Sequence, residues 1–400
     1  MSGFKKAEVL RGPFDPGGQP ETRTGDGMEL GFFAWNIKGG MTASKGVLKN
    51  PSRYQDFWHW ESAVRLVQLS EKVGFDYQVP FARWVGQGGE TSYNDSNIDF
   101  LSSAAALAPI TDNLGLFSTA HVTYKFHPLH FAKFGATIDF ISKGRWGLNI
   151  VSGYSAREQA AFGMKEPIPH DQAYDMADEF TTLLKYLWTE DERIEFEGEF
   201  YQSYGGIVSP KPLRSPRPVI MSAGNSDVGI DFACRQADWA FVIAPTLQGY
   251  KDRVSEVHRL AAKYKRKVRA ATMVYVIEDS TDARAEATKQ WLEDEVDKVA
   301  VRNFVDSLKR SSFRGDFVSE DFTLGDDPWS GVGKEMFMRI ALGIGAWQIV
   351  GSYESVAERI RELSDAGIES ILICFFDPLG GLHHMEDEII PILKKMELRK

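Results

Sequence analysis

The sequence predicts an α/β protein, a (β/α)8 barrel. Three observations predict it. Eight short apolar runs alternate with longer stretches of helical period. Glycine-rich and polar residues follow many of those runs, where the C-terminal ends of parallel strands would gather. The chain has 400 residues, 43% hydrophobic and 26% charged, an ordinary globular composition and a length that suits one barrel carrying insertions.

Residues 1–27 are rich in Gly, Pro and charge and lack the apolar core of a signal peptide, so they are expected to form a loose N-terminal extension. Residues 28–400 are expected to form a single barrel. The first strand is 28–36 (MELGFFAWN), followed by a Gly/Ser/Lys loop at 37–50. Residues 56–73 turn helical, with Leu66, Leu69 and Val73 on one face and Gly74 as the stop. Strand two is 75–80, with a Gly-rich loop at 86–89 and a helix at 99–108. Strand three is 114–120, and a helix covers 126–141. Strand four, 146–151, carries one polar residue in an apolar run, Asn149.

The second half repeats the pattern. A long helix spans 173–188. The alternating IEFEGEFY of 194–201, centred on Gly198, reads as a hairpin outside the main sheet. Strand five (218–222) leads into a helix at 226–236, strand six (239–243) into one at 247–264, and strand seven is 269–277. Ser352 caps a helix with Val356, Ile360 and Leu363 inward, closed by Gly367. Strand eight is 370–375 and the last helix 384–396. Roughly 90 residues separate strands seven and eight, more than a barrel unit needs, which marks a lid-like insertion at about 283–345. Within it 283–308 is helical, and the charged, Gly/Ser-rich 309–333 is expected to act as a lid over the barrel mouth.

Composition excludes several functions. A formal charge of −10 argues against nucleic acid, and the basic run at 263–269 sits at a helix end. Cys234 and Cys374 lie far apart in apolar sequence and read as buried thiols of a reducing compartment. No apolar run reaches the roughly 20 residues of a membrane span. A cytoplasmic enzyme is expected. No Walker loop and no strand-to-helix GxGxxG is present. His127-x-x-His130 and His383-His384 lack a third ligand at metal spacing, so no metal is expected.

Several polar residues fall just after barrel strands. The Asn149 amide both donates and accepts, which suits reading a polar ring. Gly224 in Ser222-Ala-Gly-Asn-Ser-Asp227 lets a backbone approach closely, and Ser226 or Asp227 caps a helix whose N–H groups favour an anion. An ordinary cap without a ligand is the alternative. Thr119 and His121 end strand three, and Arg83 follows strand two. On position alone, all would line one mouth.

Residues 136–154 (ATIDFISKGRWGLNIVSGY), SPKP at 209–212, VIMSAGNSDVG at 219–229 and ADWAFV at 237–242 resemble the bacterial luciferase-like superfamily. GFDYQVPFARWVGQGG at 74–89, IVGSY at 349–353 and FFDPLGGL at 375–382 extend the likeness over nearly all of 28–400. The pattern is most similar to two-component monooxygenases that use reduced FMN, among them the pyrimidine-ring-opening and dimethyl sulfone enzymes. The resemblance implies a catalytic set of Asn149, Thr119 and Phe81, with Thr119 near flavin N5 and Phe81 on the oxygen side. It implies flavin contacts at Ala82, Arg83, Asn149, Glu158, Tyr174 and Gly224, and a phosphate contact at Ser226. Where relatives have Arg before the Tyr, this chain has Ala173.

The implied activity is FMNH2- and O2-dependent monooxygenation through a flavin peroxide, with an N5 adduct in view. An NAD(P)H-dependent flavin reductase would supply the flavin. The substrate would be a small molecule, an organosulfur compound or a (hetero)aromatic such as a pyrimidine or haloarene. Trp35, Phe81, Trp84, Phe375 and Phe376 give the mouth an aromatic character, Ser44-Lys45 resembles the sulfone enzyme, and Arg310 or Arg314 could reach an anion. The resemblance further implies a homodimer or homotetramer. Competing readings are a deazaflavin-dependent reductase of the same superfamily and a phosphate-binding barrel lyase or isomerase. The second calls for a Lys or paired carboxylates at strand ends.

Overall fold

A computed structural model describes residues 3–22, 27–309 and 331–400. Eight parallel strands form the barrel: β1 (Glu29–Phe33), β2 (Tyr77–Val79), β3 (Gly115–His121), β4 (Trp146–Val151), β5 (Val219–Ser222), β6 (Trp239–Phe241), β7 (Arg269–Asp279) and β8 (Ser370–Phe375). The sheet runs β7, β8, β1, β2, β3, β4, β5, β6 and returns to β7, so the (β/α)8 expectation holds. A ninth strand, Trp347–Ser352, pairs with β7 in parallel, placing Val274 opposite Trp347. It was not foreseen, because its residues read as the approach to the Ser352 cap.

The chain divides into two compact units, each described by itself. The first comprises 1–23, 101–242 and 255–270. Here β3 pairs with β4 so that Phe117 faces Gly147 and Thr119 faces Asn149, and β4 pairs with β5 so that Asn149 faces Met221. Side chains alternate across a strand, so Phe117, Thr119, Asn149 and Met221 share one face. Trp146, Leu148 and Ile150 lie on the other, and all three are buried. That face packs on helices. A Cβ at Gly135 of helix Pro128–Ile141 would collide with the Trp146 ring. Trp146 in turn meets Trp188 edge-on at 6.0 Å, from helix His170–Thr189.

The turn between the Gly135 helix and β4 follows its residues. Lys143 and Gly144 take φ of 58° and 86°, the left-handed conformation that ends a helix. Gly144 N–H returns to Asp139 O at 2.8 Å. Buried Asp139 accepts N–H groups from Trp146 and Arg214, yet burial still lifts its pKa above the usual carboxylate range.

The N-terminal segment, expected to be loose, is tied into this unit. Lys5–Lys6 forms a third strand beside the hairpin Ile194–Glu197 and Gln202–Gly206. Asp15 meets Lys185 Nζ at 3.0 Å, Arg217 at 2.7 Å and Arg266 at 2.5 Å. Arg217 also grips buried Asp238 at 2.7 Å. Composition registered the charges of this segment but not their partners, which lie about 170 to 250 positions away.

The second unit comprises 24–100, 243–254 and 271–400. In it β8 pairs with β1 and β1 with β2, placing Gly31 between Leu372 and Tyr77. A Cβ at Gly31 would lie 2.5 Å from the Tyr77 ring, so only glycine fits. The Tyr77 hydroxyl lies 2.7 Å from Ser370 Oγ. The expected helix at 283–308 is two helices, Asp282–Asp294 and Lys298–Lys309, with Asp297 between them. The central part of the lid expectation, residues 310–330, lies outside the described residues, as do Arg310 and Arg314. Among the described residues, no helix is long and apolar enough to cross a membrane.

Candidate active site

In the first unit, Thr119 and Asn149 are register partners at the ends of β3 and β4, both nearly buried. Asn149 Nδ2 donates to Thr119 Oγ1 across 3.4 Å. Asn149 Oδ1 is buried with no partner among the described residues. A buried acceptor left without a donor costs about 1–3 kcal/mol, so it points to a donor that arrives with a ligand.

Beyond β3, the His121 ring stacks on Tyr124 at 4.6 Å and 9°, and Phe162 stacks on Tyr124 at 5.0 Å. The Tyr124 hydroxyl donates to Glu158 Oε2 at 2.6 Å. Glu158 is buried in helix Ala156–Ala161, which starts just past Gly153. Gly153 has φ of 84°, and a Cβ there would meet Thr123 Oγ1 at 2.5 Å, so the turn needs glycine.

A third cluster gathers at the N-terminus of helix Asp227–Gln236. Ser226 caps it, its Oγ accepting from Gly229 N at 3.2 Å. A Cβ at Gly224 would collide with the Tyr174 hydroxyl, and one at Gly229 would lie 2.6 Å from it. The hydroxyl therefore sits in a notch that two glycines open. His170, at the start of the Tyr174 helix, brings Nε2 to 3.1 Å from Ser226 Oγ. Its ring meets Tyr174 edge-on at 5.1 Å. The structure thus brings Tyr174, Gly224 and Ser226 together, with His170 beside them. Its signal in the sequence was faint: a histidine one helical turn before Tyr174. Ala173 is buried and brings no charge.

In the second unit, Phe81 and Ala82 are half-buried and Arg83 is buried. Buried Asn36, at the exit of β1, holds this loop. Its Oδ1 accepts from Phe81 N at 2.7 Å, and its Nδ2 donates to Phe81 O at 3.0 Å and Ile98 O at 2.9 Å. The Arg83 guanidinium lies 5.0 Å from the Phe81 ring and 5.6 Å from the Phe304 ring. Asp297 accepts both the N–H and the hydroxyl of Thr91, and Asn303 donates to Gln87 O at 2.7 Å. Sequence reasoning missed Asn36, which stood out only as a polar residue ending an aromatic strand.

Other sequence candidates have local duties. Ser44 is buried, donates to Leu292 O at 2.8 Å and caps a short 3-10 turn, while Lys45 pairs with Glu90 at 3.6 Å. Of the five aromatics, Trp35, Phe375 and Phe376 are buried, with Trp35 Nε1 bonded to Gln78. Trp84 is exposed. His127 caps helix Pro128–Ile141 through Nδ1. Among the described residues, no group of three or more His, Cys, Asp or Glu side chains could hold a metal.

Polar residues at the ends of parallel barrel strands define a β/α-barrel enzyme. A model of the luciferase-like monooxygenase family matches residues 28–370, and the chain belongs to that family. It is 30% identical over 378 residues to a pyrimidine monooxygenase of Acinetobacter baylyi, covering 92% of this chain and 95% of that one. It is 27% identical over 371 residues to an FMNH2-dependent dimethylsulfone monooxygenase of Pseudomonas putida, covering 92% and 96%. Among solved structures, a long-chain alkane monooxygenase matches with a TM-score of 0.78 at 22% identity, over 95% of this chain and 93% of that one. DmoA from Hyphomicrobium sulfonivorans matches with 0.73 at 20% identity, over 93% and 89%. At such identities these two likenesses speak to the fold.

Proposed function

We propose that the chain is a monooxygenase using FMNH2 and O2, with the flavin delivered by an NAD(P)H-dependent reductase. The observation that carries this reading is the buried, partnerless Oδ1 of Asn149 beside Thr119. Reduced FMN, when bound, supplies the electrons that activate O2. Asn149 fits its ring edge: Oδ1 accepts an N–H there and Nδ2 stays on Thr119. Because Thr119 Oγ1 accepts from Asn149, its own hydroxyl hydrogen can donate to oxygen. Such fixed donors stabilise developing negative charge without reorganising.

The N-terminus of helix Asp227–Gln236 fits the phosphate, with Ser226, Tyr174 and the Gly224 notch around it. Buried Glu158, held by Tyr124, is assigned to the flavin tail. In the other unit, Phe81, Ala82 and Arg83 are assigned to the flavin by family resemblance, and Asn36 positions their loop.

The substrate class is a small organosulfur or (hetero)aromatic molecule, in keeping with the sulfone and pyrimidine relatives. Ser44, part of the likeness to the sulfone enzyme, donates to Leu292 O and caps a 3-10 turn. A homodimer or homotetramer is supported by helix Pro128–Ile141, which leaves Leu129, Phe134, Phe140 and Ile141 exposed.

The test is oxygen uptake by purified protein with FMN, a reductase and NAD(P)H, across sulfones, sulfonates, pyrimidines and haloarenes. We expect one substrate class to yield product in step with O2. A chain that binds no reduced FMN and forms no product from any class would defeat the reading.

A further inference from the structure

Arg83 carries its charge into the interior of the second unit, where it is only 2% exposed. A guanidinium is planar and weakly hydrated, so aromatic faces can take the place of water on either side of it. Two rings do so: Phe81, from the same loop, at 5.0 Å, and Phe304 at 5.6 Å. Phe304 is itself 2% exposed and belongs to helix Lys298–Lys309, in the insertion between β7 and β8. The loop and this helix are fastened together on both sides of that contact. Asn303, next to Phe304, donates to Gln87 O at 2.7 Å. Asp297 Oδ2 accepts from Thr91 N at 2.8 Å and Thr91 Oγ1 at 2.9 Å, while its Oδ1 accepts from Ala300 N at 3.1 Å inside the helix. A Cβ at Gly89 would lie 2.4 Å from Asp297 Oδ2, so the loop rests directly on the helix start.

This arrangement gives Phe304 a task beyond filling space. An arginine has a long, flexible stem, and a ring against its face fixes where the charge lies while leaving the N–H edge to polar partners. A buried positive charge held in one place acts differently on the two redox states of a flavin. The reduced ring is the richer in electrons, so a nearby fixed cation favours it over the oxidised ring.

We propose that Phe304 is a positioning residue that holds the Arg83 guanidinium so that this chain binds reduced FMN in preference to oxidised FMN. The proposal rests on the reading of FMN as cofactor with Arg83 as one of its contacts. It makes the insertion between β7 and β8 a contributor to the cofactor site. The preference suits an enzyme supplied with flavin from outside, which must capture the reduced form and let the oxidised form go.

The experiment is titration of the full chain with reduced FMN under anaerobic conditions and with oxidised FMN in air, giving the ratio of the two affinities. The native ratio should favour reduced FMN. Phe304→Leu and Phe304→Met, which remove the ring, should lower the ratio by about 10-fold, and Phe304→Tyr, which keeps it, should not. Arg83→Gln should lose as much as Phe304→Leu, and the double variant should lose no more than either, because both act through one charge. Val305→Ala, at the next buried position of the same helix, is the control for packing and should leave the ratio as it was. Circular dichroism checks that each variant is folded, and Phe304→Met and Arg83→Gln decide the matter if Phe304→Leu is not. A ratio that survives loss of the ring or of the charge, or that falls as far in Val305→Ala, overturns the proposal while leaving the cofactor reading intact. Failure of the native chain to bind either form overturns both.

Discussion

Asn149 and Thr119 face each other across neighbouring strands, and the amide of one gives its hydrogen to the hydroxyl of the other. That orientation decides what each has left. Asn149 presents an acceptor, and Thr119 a donor. The expected consequence of Asn149→Ala is a split outcome: reduced FMN binds several-fold more weakly, while coupled product formation drops by about 100-fold. The measurement is product formed per O2 consumed, with hydrogen peroxide assayed alongside. Unchanged coupling would remove Asn149 from the catalytic set.

Asn36 makes three hydrogen bonds from full burial, two of them to Phe81. Replacing it by Ala leaves Phe81 N–H, Phe81 O and Ile98 O short of partners, at a cost of about 2–4 kcal/mol. Denaturant melts should show that loss. Hydrogen exchange should speed up first at 81–98, and global exchange without a local excess would mean that Asn36 is not what positions the loop.

Asp15 gives the protein a signature in acid. Burial alone would raise its pKa, but Lys185, Arg266 and Arg217 outweigh burial and hold it below the usual carboxylate range. A depressed carboxylate contributes stability above its unfolded pKa of about 3.9, and that stability is lost as pH falls through the folded value. Asp15→Ala should cost about 3–5 kcal/mol near neutrality, because buried Arg217 and Arg266 lose a partner, as does Lys185, whose charge burial already disfavours. The gap in melting temperature between native and variant chains should hold from pH 7 to about pH 5 and narrow below about pH 4. A gap that ignores acid would contradict this account.

Helix Pro128–Ile141 turns Phe134, Phe140 and Ile141 outward, an unusual set of large apolar side chains for solvent. If the proposed dimer or tetramer forms through this face, Phe140→Asp should lower the mass toward that of a monomer in light scattering and leave the circular dichroism spectrum as it was. An unshifted mass would place the subunit contact elsewhere.

Much of the barrel was legible in the sequence because alternation and turn residues are local signals. β4 and its Asn149 stood out as one polar residue in an apolar run, and Ser226 as a cap after a strand. What escaped depends on distance in the chain. The strand Trp347–Ser352 is defined by pairing with β7, some 70 residues earlier, and its own residues alternate only weakly. Asn36 acquires its role from Phe81 and Ile98, and His170 from Ser226, through side-chain bonds that no periodicity announces.

The contacts of Asp15 bear on how the protein can be shortened. The family match begins at residue 28, and a chain cut there would keep every barrel strand. It would also lose the carboxylate between Lys185, Arg217 and Arg266, along with the Phe14 carbonyl that receives Lys185 and the Gln19 amide on Asp238. Arg217 and Arg266 would then share Asp238, and Lys185 Nζ would keep only Gln236 Oε1. For anyone trimming this enzyme, Asp15 and its neighbours belong to the packing of the first unit rather than to a dispensable leader.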